Sequence, residues 1–396
     1  MWYLAVVGLI GAVAPAVEVR TITDESVTGA PVELNSDHVI VEASNGRRRL
    51  DLSQVTGIWW KDQPGAPKAP GPLLVELADG SLLAAKGFVA DSAKAQVALA
   101  EGRPIEVAVQ LVRRVRFTLP SEGLAGQWEQ IAGTESPADL LVVSRSGSLD
   151  YYKGVIHRVA EEAVEFELDG ERLRVKRDRV FGLVYHRPSG PPPTKPIGRL
   201  LDTSGSSWAV RSVRLSGDQV ECTTPIGLTL QRPLRSLVRL DLSRGKVVYL
   251  SDLQAESIEW VPYLRFGVAL PSLRAMCTPK PDRSLDSGPL QLDGQRYAKG
   301  LAICSRTTLV YRLPERFRRF SAVVGIDDQV RPHGNVRLVI RGDDRVLLET
   351  TVAGSDPARP IELDLTGVRR LAILVDFGED MDVGDWLDLG NARLSK

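Results

Sequence analysis

The feature that most constrains the fold of this chain is an internal repeat, in which one pattern of strands and turns recurs four times. Each copy has a strand, a polar turn, a long strand, a tight hairpin, another strand and a short closing strand. Apolar and polar residues alternate within the strands, as a half-buried sheet requires. Asn45-Gly46 and Asp169-Gly170 suit the positive φ angles of tight hairpins. Because a bent five-stranded sheet loses its exposed edges by closing, we expect small β-barrels.

The repeats also predict the domain bounds. Proline-dense stretches separate the first repeat from the second and the third from the fourth, and they cannot continue a β-ladder. We expect a short helix or a covering loop in residues 122–138, which contain Trp128. The units resemble Sm-like barrels, and we expect them at residues 17–62, 73–118, 139–187 and 196–243.

Composition excludes several classes of function. The 50 basic and 50 acidic residues cancel, so no overall field attracts nucleic acid or an anionic membrane. Acidic residues also interleave with the arginine-rich strands, which favours solvated faces over an RNA-binding surface. The three cysteines and four histidines show neither metal-ligand spacing nor a nucleophile–base arrangement. We therefore expect a protein that is not an enzyme and that binds no nucleic acid.

The N-terminal residues 1–16 form an apolar stretch with no charged side chain. The stretch is short for a bilayer span, and Ala12-Val13-Ala14 and Ala14-Pro15-Ala16 both fit a signal-peptidase site. We expect a cleaved signal peptide, with an uncleaved anchor or a buried first strand as alternatives. Cleavage would leave an exported protein (periplasmic, cell-surface or extracellular) with no membrane span.

The pattern changes at Lys246, and the strands become longer. Seven or eight strands in residues 246–396 match the size of a β-sandwich of the jelly-roll type. The fold class predicted for the whole chain is therefore all-β, with tandem small barrels followed by a sandwich.

Short motifs in this segment carry a resemblance to a known family. They are Tyr-x-Lys-Gly-Leu from Tyr297, Phe-x-Ala-x-Val-Gly-Ile-Asp-Asp from Phe320, and Asp385-Trp386 near the end. Residues 246–396 resemble the NPCBM family of carbohydrate-binding modules, which are often attached to bacterial glycoside hydrolases. The resemblance implies a non-catalytic sandwich that recognises glycans. The family usually has a histidine where this chain has Cys304. We expect Cys304 to be a buried strand residue, with a disulfide to Cys277 or a nucleophilic role as alternatives.

Sugar recognition needs an aromatic platform and carboxylates that accept hydrogen bonds from hydroxyl groups. Trp386, Asp385, Asp327 and Asp328 supply both, and we take them as candidate carbohydrate-binding residues. Asp327 and Asp328 cannot form a glycosidase dyad by themselves, because adjacent strand residues point to opposite faces. A turn or a calcium site is the alternative role for this pair.

The acidic run from Glu379 to Trp386 offers closely spaced oxygen ligands, which suit Ca²⁺. Asp380 and Asp382 are the candidate metal ligands for a structural calcium ion, and no other cofactor is expected. The alternatives are a solvated acidic loop and part of a glycan site.

These observations predict an exported carbohydrate-binding or adhesion protein whose partners are glycans or a cell-surface polysaccharide. The barrel repeats would serve as scaffold and the sandwich as recognition domain. One alternative is a structural or envelope-assembly protein whose sandwich has lost sugar binding. Another is a glycoside hydrolase or its accessory subunit.

Overall fold

The computed structural model describes residues 15–23, 25–61, 71–145, 147–186, 194–263, 271–314, 316–379 and 381–396. The chain divides into two compact units, Met1–Arg244 and Gly245–Lys396, called here the N-terminal and C-terminal units. The predicted all-β fold class is confirmed, since strands dominate both units. Most of the predicted signal peptide, residues 1–14, lies outside the described residues, as do residues 62–70 and 187–193 of the predicted spacers. No helix in the described part of the chain is long and apolar enough to cross a membrane.

The first two repeats each contain five strands, and a single 3-10 turn (Leu52–Gln54 or Val109–Leu111) precedes the last strand. The strands are β1 (Val17–Thr21), β2 (Ser26–Leu34), β3 (His38–Ala43), β4 (Gly46–Asp51), β5 (Val55–Trp60), β6 (Leu73–Leu77), β7 (Leu82–Ala90), β8 (Lys94–Leu99), β9 (Ile105–Ala108) and β10 (Val112–Arg116).

The third and fourth repeats follow the same plan, with turns at Arg177–Arg179 and Leu234–Ser236. Residues 122–138 begin with helix α1 (Glu122–Ala132), and Trp128 packs in a small core with Phe181 and Leu140. The strands are β11 (Asp139–Arg145), β12 (Ser148–Val159), β13 (Ala163–Leu168), β14 (Glu171–Lys176), β15 (Val180–Val184), β16 (Gly198–Asp202), β17 (Ser207–Val210), β18 (Ser212–Ser216), β19 (Gln219–Thr223), β20 (Thr229–Pro233) and β21 (Leu237–Asp241).

The pairing within a repeat is always antiparallel. In the first repeat, β1 pairs with both β2 and β5, β2 pairs with β3, and β3 pairs with β4. The second and third repeats repeat this order, and in the fourth the long second strand is divided into β17 and β18. Three of the four predicted hairpin residues adopt positive φ, with Gly46 at 107° and Asp169 and Gly170 at 53° and 86°, whereas Asn45 does not.

Repeats also pair with each other through their last strands. β10 of the second repeat pairs with β15 of the third, and β21 of the fourth pairs with β5 of the first. Apolar side chains of all four repeats form one core, in which Ile58, Val75, Phe166 and Trp208 are almost completely buried. The last strands thus join the repeats in two pairs. One pair consists of the second and third repeats, and the other consists of the first and fourth repeats.

The C-terminal unit is a two-sheet sandwich. Its elements are β22 (Val247–Tyr249), a 3-10 turn (Leu250–Asp252), β23 (Ser257–Trp260), α2 (Pro271–Met276), β24 (Lys280–Pro281), β25 (Leu290–Leu292), β26 (Gln295–Tyr297), β27 (Gly300–Cys304), β28 (Thr307–Arg312), β29 (Arg319–Ile326), β30 (Asn335–Gly342), β31 (Arg345–Ala353), β32 (Arg359–Asp364), β33 (Arg370–Phe377) and β34 (Trp386–Ser395).

One sheet has the order β24-β27-β34-β29-β32, with β22 also on β34, and the other has the order β23-β28-β33-β30-β31. The main core between the sheets includes Phe317, Phe320 and Ile340. A second, smaller cluster of apolar side chains includes Leu290 and Leu292 of the β25–β26 hairpin and Ala302 of β27. Alternate residues of β27 belong to the two different clusters, so the smaller cluster lies on the face of the sheet that points away from the main core. We call it the outer cluster.

Candidate functional site

Loops that connect the two sheets converge at one end of the sandwich, which we call the rim. Trp260 Nε1 donates to the Ser305 carbonyl oxygen at 3.1 Å, and Ser305 N donates to the Asp385 carbonyl oxygen at 3.2 Å. Asp327 N donates to the Trp386 carbonyl oxygen at 2.9 Å. The rim therefore consists of residues 260–263, 304–306, 327–335, 377–379 and 381–386.

Asp385, which was predicted to bind sugar, is buried inside the rim and holds its loops together. Its residue exposure is 1%, and its Oδ1 accepts a hydrogen bond from Asn335 N at 3.0 Å. Its backbone carbonyl also holds Ser305. Asp385 thus ties three loops together, and the structure places its carboxylate inside the rim rather than on its surface.

Asp327 and Asp328 also stabilise local structure. Asp327 is 1% exposed, and its Oδ1 accepts from Gln329 N at 2.9 Å. Asp328 Oδ1 accepts from Asp293 N at 2.8 Å, and its Oδ2 accepts from Gly294 N at 2.8 Å and from Gln291 Nε2 at 3.2 Å. The Asp328 carboxylate therefore fixes the turn of the β25–β26 hairpin. Both aspartates lie directly after the end of β29.

Trp386 begins β34 and is partly buried. It pairs with Cys304 across β27 and β34, and its ring packs against the outer cluster. Of the four predicted sugar-binding residues, Trp386 and Asp328 keep part of their side chains accessible, whereas Asp385 and Asp327 do not.

The predicted calcium ligands are only partly described. Asp380 lies outside the described residues, and Asp382 is exposed. Within the described ranges, no three or more His, Cys, Asp or Glu side chains are grouped so that they could hold a metal ion. The structural calcium ion stays a prediction.

Aromatic residues of the rim that were not predicted lie near residue 260. Tyr263 is 43% exposed, and its ring contacts Phe377 edge-on with the ring centres 5.0 Å apart. Trp260 is partly buried and is fixed by its hydrogen bond to Ser305. The sequence shows two aromatic residues on either side of Val261-Pro262, which could have drawn attention to this segment. The contact of Tyr263 with Phe377 joins residues far apart in sequence, so no local pattern predicts it.

Charged side chains form ion pairs on the β33 strand. Arg306 Nε lies 3.2 Å from Asp376 Oδ1, and Arg337 lies 3.6 Å from Asp376 Oδ2. The Arg306 and Arg337 side chains are 48% and 50% exposed, whereas the Asp376 side chain is 19% exposed. Asp376 and Phe377 are consecutive residues of β33, so their side chains point to opposite faces of that strand. Of these charged residues, Arg306 belongs to the rim and offers guanidinium donors there.

A buried pair of acids lies behind the rim. Asp388 is completely buried on β34, and neither of its carboxyl oxygens has a donor among the described residues. Burial and the nearby carboxylates of Asp327, Asp328 and Asp286 raise the pKa of Asp388 well above its usual value. The protonated carboxyl group of Asp388 can then donate to Asp327, whose Oδ2 is otherwise without a partner in the described structure.

The two sheets, the outer cluster and the loop rim define a two-sheet β-sandwich with its loops gathered at one end. Residues 246–395 match the family model of the NPCBM/NEW2 domain. The match covers almost the whole C-terminal unit, and the predicted resemblance of this segment to the NPCBM family is confirmed.

One known protein is similar to part of this chain. A protein of Renibacterium salmoninarum named an endo-alpha-N-acetylgalactosaminidase is 29% identical over 109 residues, which are 27% of this chain and 7% of that protein. The match therefore spans a small part of that relative's length.

Solved structures of CBM51 modules are also similar. One is CBM51 of Clostridium perfringens GH95 in complex with methyl-galactose, with 20% identity, a TM-score of 0.32, and coverage of 38% of this chain and 99% of that chain. Another is CBM51-2 with INT domains of Clostridium perfringens ZmpB in complex with GlcNAc, with 19% identity, a TM-score of 0.33, and coverage of 47% and 40%.

Proposed function

We propose that this chain is an exported, non-catalytic protein that binds carbohydrate through the rim of its C-terminal unit. The observation that carries the proposal is the exposed Tyr263 ring, held edge-on against Phe377 at the rim. The NPCBM/NEW2 match supports the same class of ligand. The partners would be glycans or a cell-surface polysaccharide.

The chemistry of the rim suits a sugar. An aromatic ring can stack on the apolar face of a pyranose, and Tyr263 and Trp386 both expose part of a ring. Guanidinium and carboxylate groups form charge-assisted hydrogen bonds with hydroxyl groups, which are stronger than neutral ones. In this proposal Tyr263, Trp386 and Arg306 contact the sugar, and Asp385 and Asp327 position the loops.

One alternative has an observation in its favour. The carboxylates of Asp385 and Asp327 are enclosed within the rim, and Cys304 replaces the histidine usual in the family. A structural envelope or protein-interaction role, with sugar binding lost, accounts for both features. The relative named as a glycosidase motivates a third candidate, an accessory subunit of a glycoside hydrolase.

A glycan array probed with the full chain, with calcium and with a chelator, tests the proposal. The array should include glycans that end in galactose, N-acetylglucosamine and N-acetylgalactosamine. We expect weak, reproducible binding, and the chelator arm reports whether calcium contributes. Absence of binding in both arms would favour the structural alternative.

Two variants connect any binding to the rim. Tyr263→Ala should weaken affinity about two- to tenfold, because an aromatic contact contributes about 0.5–1.5 kcal/mol. The matched control is Tyr152→Ala, since Tyr152 is a similarly exposed tyrosine on β12 of the N-terminal unit, at 41% against 43%. Equal binding by both variants would remove Tyr263 from the site.

Export has a separate test. N-terminal sequencing of the protein from its native host should begin near Pro15 or Val17, because the small residues before them suit signal peptidase. Protein that retains Met1 in the soluble cytosolic fraction would contradict export and leave the carbohydrate proposal standing.

A further inference from the structure

Two cysteines distant in sequence meet in the outer cluster. Cys304 ends β27 and is 8% exposed, and Cys277 directly follows α2 and is partly buried. Both side chains pack with Leu285, Leu290 and Tyr297. The two thiols lie within hydrogen-bonding reach of each other, and the Cys304 thiol also lies 3.1 Å from the Ser305 carbonyl oxygen.

The two thiols differ in reactivity. The hydrogen bond from Cys304 lowers the pKa of Cys277, whereas Cys277 and burial raise the pKa of Cys304. Cys277 is also the more accessible of the two. A thiolate is the nucleophile in thiol–disulfide exchange, so Cys277 is placed to attack first.

We propose that Cys277 and Cys304 form a dithiol site that reacts with small-molecule disulfides and closes into an intramolecular disulfide bond. The Cys277 thiolate attacks one sulfur of a disulfide such as oxidised glutathione, forms a mixed disulfide and releases one small thiolate. Cys304 then loses its proton, attacks the Cys277 sulfur and displaces the second small thiolate. The protein loses two electrons and two protons, and the small disulfide gains them.

The bond would form beside Trp386. Cys304 is the strand partner of Trp386, and the Trp386 ring packs against the same cluster. Closing the bond would fasten the turn after α2 to β27 and thus to the strand pair that carries Trp386. The inference concerns covalent chemistry only and does not depend on sugar binding.

Mass spectrometry of the full chain tests the proposal. The protein is equilibrated with mixtures of oxidised and reduced glutathione, quenched with acid, alkylated under denaturing conditions and digested. We expect the oxidising mixtures to join the Cys277 and Cys304 peptides with loss of two hydrogens. Cys222, which is buried in the N-terminal unit with its pKa raised by burial to about 12, should remain fully alkylated.

Single variants separate the two steps. Cys304→Ser should accumulate glutathione on Cys277, whereas Cys277→Ser should leave Cys304 unmodified and Cys222→Ser should behave like the wild type. The tryptophan emission of the wild type should shift on oxidation, and that of Cys277→Ser should not. Wild-type protein in which both thiols stay alkylatable, or in which Cys277 keeps glutathione and never joins Cys304, would overturn the proposal.

Discussion

In the N-terminal unit the buried carboxylate of Asp202 accepts hydrogen bonds from Ser204, from Ser206 N at 3.0 Å and from Trp208 Nε1 at 3.2 Å. In the C-terminal unit the equally buried carboxyl group of Asp388 receives no donor from the described residues. A buried carboxylate is tolerated when donors surround it, and otherwise the group takes up a proton. The interior of the N-terminal unit therefore supplies donors to its buried carboxylate, whereas the interior of the C-terminal unit favours a neutral carboxyl group at Asp388.

The two units also use tryptophan differently. Trp208 is fully buried and its indole N–H has the Asp202 acceptor, whereas Trp386 is partly buried at the rim. Trp208 therefore has a structural role, whereas the ring of Trp386 remains accessible to a ligand. Five substitutions and one control test this contrast between the two units.

Asp202→Ala should have the largest effect. It removes the acceptor for several donors and the carboxylate 3.7 Å from buried Arg232, so we expect a loss of about 3–5 kcal/mol in the stability of the N-terminal unit. Urea denaturation followed by circular dichroism measures it. The control is Asp218→Ala at an exposed position. A change below about 1 kcal/mol would show that the donors find other partners.

Trp386→Ala should cost less than the same change at Trp208. Partial exposure of Trp386 predicts a loss of about 2 kcal/mol with the fold retained, whereas Trp208→Ala should cost about 3–5 kcal/mol. Thermal unfolding and far-ultraviolet circular dichroism compare the pair. If Trp386→Ala unfolds the domain, Trp386 is a core residue and its proposed contact with sugar fails.

Asp388→Asn should raise the stability of the C-terminal unit at neutral pH by about 1 kcal/mol. Because the pKa of Asp388 is raised on folding, its contribution is fully present below the unfolded pKa, near 4, and declines as pH rises towards the folded pKa. Asparagine keeps a donor towards Asp327 at every pH. Urea titrations between about pH 4 and pH 7 should show the two proteins diverging as pH rises, and parallel curves would contradict the assignment.

Glu18→Gln should have the smallest effect and the opposite pH dependence. Arg20 and Lys61, with Ser26, lower the pKa of Glu18 from 4.5 to about 2. Its stabilisation of the N-terminal unit is therefore present above about pH 4.5 and is lost as pH falls towards about 2. Since this network lies near the surface, we expect a loss below about 1 kcal/mol at neutral pH. The variant should approach wild-type stability on acidification, and a constant difference would point to packing instead.

The strands and hairpins could be predicted from the sequence because their signals are local. Alternating residues and the Asp169-Gly170 turn are sufficient to locate a hairpin. The pairing of β5 with β21 could not be predicted, because all repeats share one pattern and their edges look alike. The same limit applies to the site. Residue type identified Trp386 and Asp385, but the burial of Asp385 and the contact of Tyr263 with Phe377 depend on how distant loops meet.

The pairing of repeats sets an order of events during synthesis of the chain. The second and third repeats are neighbours in sequence, so β10 and β15 can join as soon as both have left the ribosome. The outer edge of β5 has no strand partner until β21, in the last repeat, has been synthesised. An open strand edge invites pairing with other chains, so β5 is prone to aggregation until the last repeat has been made. Slow translation between the third and fourth repeats would lengthen that exposure.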